Sequence, residues 1–213
     1  APQFGKTMTG AAWLPMKISE NKFEGDYLIC APSYKILQQS TLPKFFEMLP
    51  NHAQWGRYHK ADEIFKLKGG KGRIFFRSAD TPNSLEGMTL KAAWLDEAGG
   101  MGREVWIIIS AGRTSFFQAP VLLTTSSYLD CMWVEEEIIK NFEKGDPDYN
   151  VIYATAEDNP YYPKAEIERA RRTMRPEDFA RRMLGQWVKL QGLVYPDFNV
   201  EAHCISKFIP APD

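Results

Sequence analysis

Two short motifs that lie far apart in the chain constrain its fold more than any other feature. Residues 5–7 read Gly-Lys-Thr, the last three positions of the phosphate-loop pattern G-x-x-x-x-G-K-[ST]. An apolar run ending in Trp94-Leu95 is followed by two adjacent carboxylates, Asp96 and Glu97. A phosphate loop holds phosphates with backbone N–H groups and a lysine, and its Ser/Thr hydroxyl binds Mg²⁺, while acidic residues after a second strand complete the metal site and orient water. The two motifs together predict a nucleotide-hydrolysing site.

The motifs assign a role to each residue around them. We expect Lys6 to neutralise charge on the β- and γ-phosphates, Thr7 and Asp96 to hold Mg²⁺, and Glu97 to orient the hydrolytic water. The loop backbone around the phosphates would come from Gln3, Phe4, Gly5, Lys6, Thr7 and Met8. The simpler alternatives are an ordinary turn at Gly5, a solvated acidic pair at 96–97, and a Glu97 that stabilises a helix N-terminus.

The phosphate-loop pattern begins before the first residue of the sequence. Counting back from Gly5, the first glycine of the pattern would precede Ala1, and so would the strand that normally leads into the loop. We therefore expect this sequence to be a piece of a longer protein that begins inside its own phosphate loop.

Composition is typical of a folded globular domain. The 213 residues are 44% hydrophobic and 13% aromatic, enough for one substantial core with a small appendage. A net charge of −1 gives no overall attraction to nucleic acid, so DNA contact would require local basic patches. No apolar run reaches membrane-spanning length. Cys30, Cys131 and Cys204 lack metal-site spacing, which indicates free thiols in a reducing compartment.

Hydrophobic periodicity predicts strands that alternate with helices, which is typical of a parallel α/β sheet. Strands are expected at 27–31, 91–95, 121–125 and 151–155, and a β-hairpin at 64–68 and 73–77 around a glycine-rich turn. Helices are expected at 8–14, where Pro15 would end the helix, and at 34–49, 132–142, 164–175 and 176–183. The predicted fold class is α/β, a P-loop NTPase of the ASCE type with a central, mainly parallel sheet flanked by helices.

A series of further motifs resembles the large terminase subunit of tailed phages, in the same order and over nearly the whole chain. The series comprises Phe76-Arg77-Ser78-Ala79-Asp80, Ser84-Leu85-Glu86-Gly87, Trp94-Leu95-Asp96-Glu97-Ala98, Leu122-Leu123-Thr124-Thr125-Ser126, Asp158-Asn159-Pro160, Leu184-Gly185-Gln186-Trp187 and Gly192-Leu193-Val194-Tyr195. The resemblance implies an ATPase domain that uses ATP and Mg²⁺ to drive double-stranded DNA through a portal into an empty capsid.

The resemblance also implies a domain organisation and partners. Residues 1–190 would form the ATPase domain, and residues 191–213 a linker toward a nuclease domain that this sequence does not contain. Asp197 and Glu201 would be solvated linker residues, so no nuclease activity is expected. The implied partners are double-stranded DNA, the portal protein, the small terminase subunit and further copies of the same chain in a ring. The implied location is the cytoplasm of an infected bacterial host, with no membrane contact.

The resemblance leaves the arginine finger open. Some terminases carry an arginine within the phosphate loop, where this chain has Pro2, and others carry a basic residue where this chain has Glu86. The remaining candidates are Arg77, Arg103 and Arg113, although each is also typical of a surface ion pair. Of these, Arg113 is expected in a Gly-Arg-Thr loop.

The coupling motif contains Thr124 and Thr125, which the resemblance implies sense the γ-phosphate. Their simpler interpretation is a pair of β-branched residues at a strand end.

Two basic clusters could contact DNA phosphates. The favoured one is the hairpin, with Lys66, Lys68, Lys71 and Arg73, flanked by Arg57 and Lys60. The other contains Arg169, Arg171, Arg172, Arg175, Arg181 and Arg182. Acidic residues interleave the second cluster, which favours a salt-bridged helix surface.

Two competing functions are also compatible with the sequence. One is a helicase-like P-loop ATPase that depends on DNA, although such enzymes usually pair two motor domains. The other is a non-catalytic fragment that docks onto portal or neighbouring subunits, because the phosphate loop is incomplete. A measurement of equilibrium ATP binding distinguishes the docking fragment from the packaging ATPase and from the helicase-like ATPase.

Overall fold

The structure, a computed structural model, describes residues 4–49, 51–127 and 132–187. Within these ranges six strands form one mixed sheet in the order β2-β3-β4-β1-β5-β6. The strands are β1 (Gly25–Ala31), β2 (Gly56–His59), β3 (Ile64–Leu67), β4 (Gly72–Ser78), β5 (Leu90–Asp96) and β6 (Val121–Thr124). Strand β1 pairs in parallel with β4 and β5, and β5 pairs in parallel with β6. The predicted α/β class with a central, mainly parallel sheet is confirmed.

Helices cover both faces of this sheet. The first helices are α1 (Lys6–Glu20), α2 (Tyr34–Ile36) and α3 (Leu42–Met48), and a π-helical segment (Leu37–Thr41) joins α2 to α3 without a break. The later helices are α4 (Arg103–Ile107), α5 (Met132–Val134), α6 (Lys140–Glu143), α7 (Lys164–Thr173) and α8 (Pro176–Leu184). A π-helical segment (Ile108–Arg113) extends α4, and another (Glu135–Ile139) joins α5 to α6.

The core consists of two apolar layers, one on each face of the sheet. One layer packs α1 and α3 against alternate residues of the central strands, including Ile29 and Trp94. The other layer packs the region of α4 against the opposite residues of the same strands, including Leu28 and Leu95. Strands β1 and β5 are therefore buried on both faces, as central parallel strands are.

Two of the predicted elements need correction, and two further elements were not predicted. Helix α1 continues through the buried Pro15 to Glu20 instead of ending at residue 14. The short strand β2 was not predicted, and neither was the helix that begins at Arg103. The predicted strand at 151–155 is wrong, because that segment is irregular and Ile152 is 87% exposed.

A small separate core lies under α7 and α8. Ile167 and Ala170 of α7 pack against Phe179 and Met183 of α8, together with Ala156. This cluster agrees with the predicted appendage to the main core. Among the described residues, no helix combines the length and the apolar character that crossing a bilayer requires.

Candidate nucleotide-binding site

The Gly-Lys-Thr motif forms the N-terminus of α1, at the edge of the sheet where the parallel strands end. Gly5 has a φ of 86°, in the left-handed region that glycine adopts without strain, and Lys6 begins the helix. The Gly5 carbonyl accepts hydrogen bonds from the Thr9 N–H at 2.8 Å and the Thr9 hydroxyl at 3.1 Å. No acidic side chain lies in the first turn. The first-turn N–H groups, which have no acceptors within the helix, suit an anion such as phosphate.

Asp96, the last residue of β5, is the centre of a cluster of threonine hydroxyls. Its carboxylate is buried, with only 1% of the residue exposed. The Thr7 hydroxyl donates to Asp96 Oδ1 at 3.2 Å, and the Thr124 hydroxyl donates to the same oxygen at 2.8 Å. The Thr41 hydroxyl donates to Oδ2 at 2.7 Å. The fold thus brings together the predicted metal-binding residues Thr7 and Asp96, which lie 89 positions apart.

Trp94 extends this cluster by a hydrogen bond to Thr124. Its indole Nε1–H donates to the Thr124 hydroxyl oxygen at 2.8 Å, and Thr124 in turn donates to Asp96. Trp94 is fully buried and Thr124 is nearly so. Buried polar groups that satisfy one another hold a fixed geometry, so this chain of bonds fixes the Asp96 carboxylate. The predicted sensor Thr124 therefore contacts the carboxylate directly.

Glu97 follows Asp96 with an unusual backbone conformation. Its φ of 51° and ψ of 44° are left-handed, which strains a residue with a side chain. A short turn (Ala98–Gly100) follows, and the Gly99 N–H donates to the Thr125 hydroxyl oxygen at 2.9 Å. Thr125 donates onward to the Ser126 carbonyl at 2.8 Å. Through Thr125, the end of β6 is hydrogen-bonded to the turn that follows Glu97.

The donor set suits a hard cation such as Mg²⁺. A threonine hydroxyl and a carboxylate are oxygen ligands, and Mg²⁺ typically combines one or two carboxylates with substrate phosphates and water. No group of three or more His, Cys, Asp or Glu side chains within the described ranges could hold a metal without further ligands. Thr7 and Asp96 therefore fit a metal that arrives with nucleotide phosphates.

A cleft of about 1160 Å³ opens beside the phosphate loop. Its lining includes Phe4 and Lys6 from the N-terminus of α1, Thr124 and Thr125 from the end of β6, and Tyr153. A cleft of this size accommodates a ligand as large as a nucleotide. Among the predicted loop residues, Gln3 lies outside the described ranges, whereas Met8 is exposed on α1.

Each candidate arginine finger is engaged by partners within the chain. Arg77 donates to the backbone carbonyls of Phe76, Asp62 and Glu63. Arg103 forms an ion pair with Glu137.

Arg113 lies 3.4 Å from Glu86 and ends a helical segment, so its predicted position in a loop is wrong. Of the three candidates, the Arg103 side chain is 61% exposed and the Arg113 side chain only 25%. The Arg103 side chain is therefore the more exposed of these two.

The predicted hairpin places basic side chains in a row across three strands. Arg57 of β2 lies opposite Lys66 of β3, and Lys66 lies opposite Arg73 of β4. All three residues are exposed. Arg73 also donates to both carboxylate oxygens of Asp26 on β1, at 2.9 and 2.6 Å. Like charges directly opposite one another on a sheet repel, so an external anion beside this row would be stabilising.

The remaining basic residues differ in their ion pairs. Lys71 forms an ion pair with Glu24 at 2.9 Å. This pair lowers the pKa of Glu24 and raises the pKa of Lys71. Lys68, in contrast, is exposed and forms no ion pair within the described structure.

On the competing surface, several arginines are paired with acidic neighbours, which agrees with the predicted salt-bridged helix surface. These pairs are Arg169–Glu166, Arg171–Glu157 and Arg181–Asp178.

Sequence reasoning missed Thr41. It lies in the π-helical segment within a region predicted simply as helix, and no motif marks it. The only available signal was a polar residue at a position that the helical pattern assigns to the core, since Leu37 and Phe45 on either side of it are fully buried.

Known proteins resemble the chain in sequence and in structure. The family model described as terminase large subunit, T4likevirus-type, N-terminal, matches residues 1–202. No curated protein matches. The large terminase of a thermophilic bacteriophage matches with a TM-score of 0.76 and 19% identity, over 95% of this chain and 50% of that one. The complex of that same terminase with ADP matches with a TM-score of 0.74 and 20% identity, over 100% and 52%.

The large terminase ATPase domain of Thermus phage P74-26 is also similar, with a TM-score of 0.64 and 17% identity, over 88% of this chain and 86% of that one. These similarities confirm the predicted P-loop NTPase fold. The chain spans about half the length of the first of these two terminases.

Proposed function

Because the chain belongs to the terminase large subunit family, in the T4likevirus-type N-terminal region, we propose that it is an ATPase domain that powers DNA packaging. In this proposal the domain hydrolyses ATP to move double-stranded DNA into a procapsid. The observation that carries the proposal is the hydrogen bond from Thr7, in the Gly-Lys-Thr motif, to Asp96 at the end of β5. This bond joins the two motifs that would form the nucleotide site.

Nucleotide binding rests on the N-terminus of α1. The first-turn N–H groups and the Lys6 ammonium provide positive charge beside the cleft, where the β- and γ-phosphates would lie. Phe4, Gly5 and Met8 would supply loop backbone around them, and Gln3, which lies outside the described residues, is proposed from the sequence pattern alone. The similar large terminase of the thermophilic bacteriophage has been solved with ADP and with ATP-γ-S, which supports nucleotide binding by this fold.

Metal binding would fall to Thr7 and Asp96. The Thr7 hydroxyl uses its proton toward Asp96, which leaves its oxygen lone pairs available to a cation. Bound Mg²⁺ would neutralise charge on the phosphate oxygens as the terminal phosphate leaves. The three hydroxyls keep the Asp96 carboxylate in place for this ligand.

Hydrolysis would depend on Glu97. Its left-handed backbone sets it apart from the regular strand conformation of β5, and strain of this kind clusters at functional positions. In the proposed role its carboxylate orients the attacking water and accepts a proton from it. Through Gly99 and Thr125, the turn after Glu97 contacts the end of β6. We assign Thr124 and Thr125 to coupling because Thr124 donates to Asp96 and Thr125 accepts from Gly99, in the turn after Glu97.

Full activity would require an arginine from a neighbouring copy. An arginine finger accelerates phosphoryl transfer by orders of magnitude when it reaches the γ-phosphate. Arg103 is our first candidate because its side chain is exposed and lies at the start of α4, soon after the Glu97 turn. Arg77 and Arg113 are the alternatives, although carbonyl contacts hold Arg77 and Glu86 holds Arg113.

DNA would contact the basic row on the hairpin. Arg57, Lys66 and Arg73 lie side by side, and Lys68 lies at the adjacent turn. Phosphate contacts of this kind require positive charge but no base recognition, as a packaging motor requires. Lys71 and Arg73 would contribute less, because Glu24 and Asp26 already neutralise them. The proposed partners are a portal protein, a small terminase subunit and further copies of the chain in a ring, in the cytoplasm of a bacterial host.

The decisive experiment measures binding of a fluorescent ATP analogue with and without Mg²⁺, followed by release of inorganic phosphate from ATP. We expect Mg²⁺-dependent binding and slow hydrolysis, and we expect Asp96→Asn to lose most of the Mg²⁺ dependence. Absence of binding would favour the non-catalytic docking fragment. Strong stimulation by DNA in a monomer, with no dependence on other copies, would favour the helicase-like alternative.

A further inference from the structure

Thr41, like Thr7 at the start of α1, directs its hydroxyl away from its own helix and toward Asp96. Thr9, Thr114 and Thr173 each donate a hydrogen bond back to a carbonyl of their own helical segment. This is the usual bond for a threonine in a helix. The Thr41 hydroxyl instead crosses to β5 and donates to Asp96 Oδ2 at 2.7 Å.

The π-helical segment that contains Thr41 supports this contact. A π turn adds a residue to the helix and rotates the following side chains relative to a regular helix, and such turns occur often at functional sites. This segment ends at Thr41, where the residue is completely buried and regular helix resumes at Leu42. A fully buried hydroxyl with one acceptor must hold that acceptor in a defined orientation.

The bond from Thr41 is also distinct within the Asp96 cluster. Thr7 and Thr124 both donate to Oδ1, whereas Thr41 is the donor to Oδ2 among the described hydrogen bonds. A carboxylate rotates about its Cβ–Cγ bond, and donors on both oxygens restrain that rotation more tightly than donors on one oxygen. The bond from Thr41 to Oδ2 therefore helps to fix the lone pairs that face the proposed metal.

We propose that Thr41 is a positioning residue that holds Asp96 in the orientation that Mg²⁺ requires. Thr41 itself touches neither metal nor nucleotide and acts through Asp96. This inference rests on the proposed function of Asp96 as a metal ligand. Partners of this kind, one bond removed from the metal, typically change metal affinity by about 10–100-fold when they are replaced.

The test compares Thr41→Val, which removes the hydroxyl at nearly constant volume, with Thr41→Ser, which retains it. Binding of a fluorescent ATP analogue is titrated with Mg²⁺ and repeated in EDTA. We expect Thr41→Val to need about tenfold more Mg²⁺ for half-maximal binding. Thr41→Ser should resemble the parent, and binding in EDTA should be equal in all three. Thr114→Val is the control, since it removes another buried hydroxyl, which bonds to Ile109 and not to Asp96.

An unchanged Mg²⁺ midpoint in Thr41→Val would overturn the inference, and so would equal shifts in Thr41→Val and Thr114→Val. If the parent shows no Mg²⁺-dependent binding, the proposed function fails, and a double-mutant cycle of unfolding equilibria tests Thr41 independently. We expect Thr41→Val to change the unfolding constant at least about fivefold more in the parent than in an Asp96→Ala background. Equal changes in the two backgrounds would show that Thr41 does not hold Asp96.

Discussion

Gly10 of α1 lies directly on the indole ring of Trp94 in β5. A Cβ atom at residue 10 would come within 2.0 Å of Trp94 Cε2 and 2.2 Å of Nε1. The same indole donates to Thr124, which bonds to Asp96. Because glycine has no Cβ atom, α1 can approach β5 this closely. The geometry of the Asp96 cluster depends on that close approach.

We predict that Gly10→Ala destabilises the protein by about 1–3 kcal/mol, the usual cost of overpacking a core. Alanine favours helix, so the sign of the change separates packing from helix propensity. Gly112→Ala is the matched control, because that helical glycine has nothing within 4 Å of its added Cβ. Urea unfolding of both variants provides the measurement. A Gly10→Ala variant as stable as Gly112→Ala would contradict the packing argument.

Replacing Glu97 and Lys6 in separate variants should distinguish ATP binding from ATP turnover. Glu97→Gln should retain affinity for ATP but lose nearly all hydrolysis, because only the carboxylate that orients water is changed. Lys6→Ala should weaken binding itself. Glu136→Gln, at an exposed position, is the control for loss of a negative charge. Hydrolysis at the parent rate in both Glu97→Gln and Lys6→Ala would refute the assigned site.

Mixing two variants should test the arginine from a neighbouring copy. We expect the specific activity of the parent to rise with protein concentration, because association completes the site. Arg103→Ala should remove this rise. A mixture of Arg103→Ala and Glu97→Gln should recover activity, since one copy supplies the intact carboxylate and the other the arginine. If activity does not recover, Arg103 is not the arginine finger. Arg77→Ala and Arg113→Ala would then be mixed with Glu97→Gln in the same way.

Binding to DNA should show the salt dependence of phosphate contacts. Each lost contact reduces the slope of log affinity against log salt by about one unit. Replacing Arg57, Lys66 and Lys68 with alanine should therefore reduce the slope measured by fluorescence anisotropy with a mixed-sequence duplex. Replacing exposed Arg172, Arg175 and Arg182 with alanine is the matched control on the competing surface. A slope that changes only in the control variant would assign DNA binding to the surface of α7 and α8.

Strand β1 should make the fold sensitive to alkali. Burial raises the pKa of Tyr27 from 10.0 to about 12 and that of Cys30 from 9.0 to about 12. Because the unfolded chain loses these protons at lower pH, the stability that they provide is complete below about pH 9 and falls toward pH 12. Tyr27→Phe should flatten this fall in urea unfolding between about pH 8 and pH 11, whereas exposed Tyr161→Phe should not. Parallel curves would exclude a contribution from Tyr27.

The sequence predicted the elements whose residues repeat with a clear period. Alternation gave the hairpin, and continuous apolar runs gave β1, β5 and β6. The apolar run at Val105–Ile109 could be read as strand, but Val105 and Ile109 are buried while Ile107 is 42% exposed, the spacing of a helix. Its helical state depends on packing against the sheet, which local sequence does not contain.

Residues 151–155 show the opposite failure. Their apolar and aromatic side chains favour a strand, but strand formation requires a neighbour on the sheet. In the structure the Thr155 N–H bonds to the Asp158 carboxylate at 2.7 Å, which turns the chain away from an extended course.

The motifs predicted that Thr7 and Asp96 lie together, but not every residue that contacts them. The family match confirms the resemblance that those motifs suggested. Thr7 and Asp96 do lie together, as the paired motifs indicated. Thr41 could not be predicted, because its contact with Asp96 depends on a π turn and on the distance between a helix and a strand.

Strand β6 has a consequence for handling the protein. Within the described structure β6 pairs with β5 alone, and its residues Val121, Leu122 and Leu123 are all partly exposed. An uncharged apolar strand at a sheet edge is a template for pairing with another chain. We therefore expect a lysine placed at Val121 to raise the protein concentration at which this polypeptide precipitates.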